Sequence, residues 1–302
     1  MDDRIYDGVL DLVGRTPLIR LSKLSPKRGA EICGKLERNN PAGSVKDRPA
    51  LFMIEAAEDA GQIAEGATLV EATSGNTGIS LAAISAVKGY RCVLVMPEDM
   101  SVSRRQILKS YGAEVILTPA MEGMAGAVER ANRLLEETDG AFMPSQFENA
   151  ANPRSHEATT AEEIWRACGG EVDAFVAGVG TGGTVTGVAR VLKERNPDVK
   201  IVAVEPRASA VLSGGKPGLH GIQGLGAGFV PKVLERDLID EIFTVTDLAA
   251  DRMTRRLAKE EGLLVGPSAG ANVHAAQELA KRMKPGQRVV TILCDGGERY
   301  LC

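Results

Sequence analysis

The run Ala174-Phe175-Val176-Ala177-Gly178-Val179-Gly180-Thr181-Gly182-Gly183-Thr184-Val185-Thr186-Gly187 holds the fold in miniature. An apolar segment of strand length passes into a glycine turn, and the turn opens a helix. Consecutive glycines let backbone N–H groups converge, and the helix N-terminus adds partial positive charge. Thr181 and Thr184 add hydroxyl donors, so the loop can cradle a phosphate. Taken alone, the segment leaves three readings open: a phosphate cradle, a dinucleotide fingerprint or a tight structural turn. The dinucleotide reading draws on Glu205, which ends the next strand-like run about 20 residues downstream, where a ribose-binding acid belongs.

Outward from this unit the same alternation continues almost from end to end. Patterning predicts strands over 68–71, 91–96, 114–117, 174–177, 200–204 and 288–294, and helices over 45–60, 77–88, 104–111, 154–168, 184–195, 248–261 and 270–283. Such alternation predicts an α/β fold with mostly parallel sheets and helices on both faces. The polar stretch 144–149 separates two series, which predicts two α/β domains, 1–145 and 146–302, with a ligand cleft between them.

Composition narrows the function classes. The 302 residues hold 36 Lys+Arg against 40 Asp+Glu, a net charge of −4, which argues against a nucleic-acid surface. With 44% hydrophobic residues the chain can bury a sizeable core, and 34 glycines with 4% aromatics favour close backbone approaches over stacking platforms. The start, Met1-Asp2-Asp3-Arg4, lacks a secretory pattern, and no apolar run approaches the ~20 residues of a membrane span. A cytoplasmic protein without membrane partners is therefore expected. The five cysteines, at 33, 92, 168, 294 and 302, form no C-x-x-C pair, and His156, His220 and His274 have no metal-ligand spacing, so no metal is expected. Cys33, Cys92 and Cys294 lie in apolar runs and read as buried filler.

Two further turns carry chemistry. Glu71-Ala72-Thr73-Ser74-Gly75-Asn76-Thr77-Gly78 again joins a strand to a helix, and its N–H groups, hydroxyls and amide suit a small carboxylate. The alternative is an N-capped turn, although six consecutive turn-type residues exceed what a cap requires. In Asn40-Pro41-Ala42-Gly43-Ser44-Val45-Lys46-Asp47-Arg48 a lysine stands in the first turn of a helix. The local field there lowers an amine's hold on its proton, which suits Schiff-base formation or general-base work. The alternative is a solvated lysine paired with Asp47 or an acid one turn away.

Read in order, these pieces resemble the fold-type II pyridoxal-phosphate enzymes, whose fold is tryptophan synthase β-like, and within them the cysteine synthases (O-acetylserine sulfhydrylases). Gly14-Arg15-Thr16-Pro17-Leu18 is similar to the family's opening motif, 40–48 to its cofactor-lysine motif, and 73–78 to its substrate loop. Gln146-Phe147, Asn152-Pro153 with His156, the 180–184 loop, 222–229, 266–270 and the closing Asp295-Gly296-Gly297-Glu298-Arg299-Tyr300 match in spacing as well.

The resemblance implies pyridoxal 5'-phosphate as cofactor, and part of 13–40 packing on the second domain. Lys46 would carry the cofactor and act as catalytic base, Asn76 would bond its ring oxygen, and Gly180, Thr181, Gly182, Gly183 and Thr184 would hold its phosphate. Ser268 would contact the pyridine nitrogen, and Thr73, Ser74, Gly75, Thr77 and Gln146 would grip the substrate's α-carboxylate. A hydroxyl at the pyridine nitrogen leaves it largely unprotonated, which suits β-elimination over transamination. The implied activity is cysteine formation from O-acetylserine and sulfide, with acetate released. Cysteine desulfhydrase, cystathionine β-synthase-like and O-phosphoserine- or thiosulfate-using activities share the machinery. Residues 222–229 lean toward the A-type synthases, whereas 39–43, 122–124 and 297–301 lean toward the B type. A homodimer is implied, and A-type likeness adds serine acetyltransferase as a partner. The readings from other classes are a binding module that keeps the fold and an NAD-dependent oxidoreductase.

Overall fold

The computed structural model describes residues 5–301; Met1, Asp2, Asp3, Arg4 and Cys302, on which the readings of the acidic start and the fifth cysteine rest, lie outside them. Strands β1 (Leu18–Arg20), β2 (Glu31–Leu36), β3 (Thr68–Ala72), β4 (Arg91–Pro97), β5 (Glu114–Thr118), β6 (Ala174–Gly178), β7 (Lys200–Pro206), β8 (Glu241–Val245) and β9 (Arg288–Leu293) are interleaved with helices. The helices are α1 (Asp47–Asp59), α2 (Asn76–Lys88), α3 (Val102–Ser110), α4 (Gly123–Glu137), α5 (Ala151–Ser155), α6 (Glu162–Ala167), α7 (Gly183–Arg195), α8 (Asp247–Glu261) and α9 (Pro267–Ala280). Every strand and helix expected from patterning has a counterpart. The segment 154–168 is not one regular helix, because a π-type stretch, His156–Ala161, joins α5 to α6. Three elements were not anticipated, β1, β8 and α4, and β2 was anticipated only as the strand-like run around Cys33.

The strands form two sheets. The larger has the order β1-β2-β9-β6-β7-β8, parallel throughout except for β1, and the smaller is an all-parallel β3-β4-β5. Alternation along β6 shows why both faces of the larger sheet are covered. Ala174 and Val176 pack toward the apolar faces of α8 and α9, whereas Phe175 and Ala177 pack toward Val185, Val188 and Leu192 of α7. In the smaller sheet Leu69 and Leu94 meet Ile54 of α1 and Ile79 of α2, and Val70, Val93 and Val95 meet Ala127 and Ala131 of α4 on the other face.

The sheets are tied together near the C-terminal ends of their strands. A backbone bridge pairs Ser44 with Asp295 just beyond β9, and Val45 N–H donates to the Cys294 carbonyl (2.8 Å), which sets the start of α1 beside the end of the larger sheet. In open parallel sheets this carboxyl edge is where ligands bind. Among the described residues no helix is long and apolar enough to cross a membrane, and no cluster of three metal-ligating side chains occurs. Cys33 and Cys92 are buried as expected. Cys294 departs from that expectation: it follows β9 rather than lying within it, and is only half-buried.

Candidate active site

Lys46 is the N-cap of α1 and carries a half-buried side chain. Its ammonium has no hydrogen bond or ion pair among the described residues. Asp47, the partner that a solvated-lysine reading needs, is otherwise occupied: it accepts from Ala42 N–H (2.6 Å) and the Ser80 hydroxyl (2.6 Å). Removal from water lowers the Lys46 pKa, against the opposing pull of Cys294 and Asp295. An amine with no partner and a lowered proton affinity is equipped to act as nucleophile or base.

The 73–78 loop leaves β3 and enters α2. Thr73 N–H completes the sheet at the Val95 carbonyl (3.1 Å), and the Thr73 hydroxyl turns back to accept from Gly75 N–H (3.3 Å). The N–H groups of Ser74, Asn76 and Thr77 donate to no other described group, so three donors stand open at the start of a 13-residue helix. The Thr77 hydroxyl donates to Gln146 Oε1 (2.7 Å), bringing that expected residue from 69 positions away. Its Nε2 hydrogens then remain for a carboxylate. Asn76 is engaged on both sides: Nδ2 donates to Asp295 Oδ2 (2.7 Å), and Oδ1 accepts from Arg299 Nη1 (2.6 Å), leaving one N–H for a ligand.

The 180–184 loop leaves β6 and enters α7. Gly182, the N-cap, sits at φ +86°, a left-handed conformation that glycine adopts without strain. At Gly183 a Cβ would come within 1.9 Å of Asn152 Oδ1, so only glycine fits there. The N–H groups of Gly180, Thr181, Gly182 and Thr184 donate to nothing else among the described residues, while Gly183 N–H goes to the Thr181 hydroxyl (3.3 Å). The Thr181 hydroxyl also accepts from Asn152 Nδ2 (3.0 Å), and that of Thr184 meets His156 Nε2 (3.2 Å). Burial, helped by the Arg48 charge, pushes the His156 pKa down to about 3, so the ring is a neutral buttress.

Ser268 lies buried in the first turn of α9, its hydroxyl against the Cys294 sulfur. Burial and the neighbouring Asp295 push the Cys294 thiol up to about 12, which keeps it neutral. Glu205 counts against the dinucleotide reading: its buried carboxylate accepts from Leu212 N–H (2.8 Å), Ser213 N–H (2.9 Å) and the Ser213 hydroxyl (2.6 Å), so both oxygens are engaged within the chain.

Two sets of open N–H donors, a partnerless lysine and a neutral hydroxyl on a helix start fit pyridoxal phosphate: donors for its phosphate, an amine for its aldehyde and a hydroxyl for its ring nitrogen. Residues 9–295 match the model of the family described as pyridoxal-phosphate dependent enzyme. The chain belongs to that family. Its cofactor is pyridoxal 5'-phosphate, and the chain is 52% identical to a cysteine synthase of Staphylococcus aureus over all of its own length and 97% of the relative's. Among solved structures it is similar to a cysteine synthase from Entamoeba histolytica (TM-score 0.95, 43% identity, 99% of this chain and 90% of that one). A hydrogen sulfide-producing enzyme from Fusobacterium nucleatum is comparably similar (TM-score 0.94, 44% identity, 98% and 100%).

In this pyridoxal-phosphate enzyme, sequence reasoning missed the groups that set the site residues in place. Asp295 and Tyr300 are two: Tyr300 donates to Asp295 Oδ2 (2.5 Å), and Asp295 Oδ1 is buried without a partner. Arg104 of α3 is another, donating to the Ser74 carbonyl (2.8 Å) and to Gln223 Oε1 (2.6 Å), 119 positions along the chain. Asn152 donates to both the Gln146 carbonyl (2.7 Å) and Thr181, so one amide ties the two loops. The closing motif and Asn152-Pro153 were visible as motifs, but without roles.

Proposed function

We propose that the chain is a cysteine synthase that forms L-cysteine from O-acetyl-L-serine and sulfide and releases acetate. The observation that carries this reading is Lys46, with no partner of its own, beside two loops of open N–H donors in a chain 52% identical to a cysteine synthase. The N–H groups of the 180–184 loop would hold the cofactor's phosphate, with Thr181 and Thr184 beside them. Asn76 would face its ring oxygen and Ser268 its ring nitrogen. When bound, pyridoxal phosphate supplies the electron sink that makes the substrate's Cα–H acidic. Thr73, Ser74, Gly75, Thr77 and Gln146 bind the α-carboxylate and so fix which Cα bond points at the base. Lys46 would hold the cofactor through its Nζ. With that amine unbound, Nζ would take the α-proton while the bond between Cβ and the acetate oxygen breaks. Sulfide adds at Cβ, and Lys46 returns a proton to Cα as cysteine forms.

We further propose two units, 1–145 and 146–302, with part of 13–40 belonging to the second; pairing of β1 and β2 within the larger sheet supports this. A homodimer and docking of a serine acetyltransferase extend the proposal, as does a cytoplasmic location. Sedimentation and pull-down test the first two. Elimination from cysteine to give sulfide is the second reading, favoured by the likeness to the Fusobacterium nucleatum enzyme.

The deciding experiment is an absorbance titration of the loaded protein. O-acetylserine should shift its visible band and sulfide should restore it, with cysteine appearing. A colourless protein, or a Lys46→Ala variant with near-full turnover, overturns the reading. Cysteine shifting the band more readily than O-acetylserine, with sulfide released, selects the second reading.

A further inference from the structure

Glu71 stands next to last in β3, its side chain 6% exposed. Among the described residues no cation reaches it. Its Oε2 accepts from Ser145 N–H (3.0 Å), its carboxyl also receives Ala72 N–H, and burial pushes its pKa up to about 7. A carboxyl left in so apolar a place is unfavourable, and packing alone would be served better by leucine.

Ser145 is what it holds. Among the described residues only Arg15 (φ +49°) and Ser145 (φ +54°) are non-glycines in the left-handed region. Each donates its N–H to a glutamate, Arg15 to Glu163 Oε1 (2.9 Å) and Ser145 to Glu71. The next residue after Ser145 is Gln146, which meets the Thr77 hydroxyl (2.7 Å). On its own strand Glu71 runs directly into Ala72-Thr73-Ser74. One side chain thus fastens both halves of the carboxylate grip.

We infer that Glu71 is a positioning residue for the substrate's α-carboxylate, acting by holding Ser145 left-handed so that Gln146 is aimed at the 73–77 loop. The inference rests on the proposed O-acetylserine chemistry. It touches neither the phosphate loop nor Lys46, so its signature is confined to amino-acid binding.

The test compares steady-state constants and visible spectra of the loaded enzymes. Glu71→Leu should raise KM for O-acetylserine about tenfold or more while kcat falls less than about threefold, with the resting spectrum, cofactor affinity and KM for sulfide unchanged. Glu71→Gln, which keeps an acceptor for Ser145 N–H, should stay within about threefold of the parent KM. Adding Ser145→Gly to Glu71→Leu should recover several-fold of the lost KM, because glycine adopts positive φ without a clamp. If Glu71→Leu does not fold, Ser145→Val supplies the same test, since a β-branched residue resists that φ with Glu71 intact. An unchanged KM in Glu71→Leu or Ser145→Val, or a loss confined to kcat and cofactor affinity, overturns the inference. A parent protein that neither turns over nor spectrally answers O-acetylserine overturns the proposed function and this inference with it.

Discussion

Arg48, two residues beyond Lys46, is 1% exposed and joins two carboxylates: its Nε and Nη2 donate to Glu37 (2.7 and 2.8 Å), its Nη1 and Nη2 to Glu163 (2.8 Å each). Lys35, also buried, donates to Glu163 Oε2 (2.6 Å), so two cations balance two anions. Arg48→Met would leave Glu37, which is 0% exposed, with the Thr16 hydroxyl and Asn40 amide as its hydrogen-bond partners. Removing one partner of a buried pair costs about 3–5 kcal/mol. Arg48→Met with Glu37→Gln should cost less than the two single changes added, by about 1–3 kcal/mol, because no orphan charge remains. Urea unfolding of the loaded enzyme reads both quantities, provided the slope is unchanged. The acid limb gives an independent check. Burial raises the Glu163 pKa, but Arg48 outweighs it and the pKa falls from 4.5 to about 2. A depressed carboxylate contributes stability above about 4.5 that is lost as pH falls toward 2, here about 2–3 kcal/mol, and Arg48→Met should flatten that limb. A cost under about 1 kcal/mol for Arg48→Met, or strictly additive single changes, would refute the network.

Gly183→Ala, whose Cβ would lie 1.9 Å from Asn152 Oδ1, should weaken cofactor affinity about tenfold or more, and equilibrium dialysis that finds parent-like retention counts against the phosphate loop. His156, neutral with a pKa of about 3, draws no proton in the fold, so stability should fall as pH drops from 6.5 toward 3; His156→Gln should reduce that slope in urea midpoints measured across the window, and an unchanged slope removes the ring as its source. Arg104→Ala, which loses the bonds to Ser74 and Gln223, should weaken O-acetylserine binding about tenfold in the absorbance titration with no change in cofactor content; equal affinity would mean that these bonds are idle.

What patterning could and could not reveal follows from where the stabilising partners lie. The strand–turn–helix units at 72–77 and 178–184 are local, so both the turns and their open donors could be anticipated from sequence. Strand β2, Glu31-Ile32-Cys33-Gly34-Lys35-Leu36, was legible only as a strand-like run around Cys33, because a glycine and a lysine interrupt its apolar pattern and blur its bounds. Lys35 is tolerated inside because Glu163, 128 residues away, and the Thr16 carbonyl both accept from it. Helix α4 opens with Gly123-Met124-Ala125-Gly126, which resembles loop composition, and its helical face rests on Ala127 and Ala131 covering the smaller sheet. Asp295 could be seen as part of the closing motif, but its role could not, since Asn76 reaches it from 219 positions away.

The site's coherence rests on Gln146. Its side chain meets the 73–78 loop through Thr77, its carbonyl is held by Asn152, and the same Asn152 amide holds Thr181 in the 180–184 loop. Its backbone follows Ser145, which Glu71 fastens to the end of β3. Asn152 therefore ties the loop proposed to hold the phosphate to the segment that carries Gln146, whereas Glu71 reaches only that segment, through Ser145. Lys46 enters from a third direction, its loop pinned by Val45 to Cys294 and by Ser44 to Asp295. On the proposed reading, Lys46 can reach the substrate's α-proton only while the 73–78 and 180–184 loops keep a fixed separation. Changes at Asn152 should accordingly impair cofactor retention and O-acetylserine affinity together, whereas changes at Glu71 should touch only the latter, and measuring the two affinities on the same pair of variants separates the shared tie from the one-sided one.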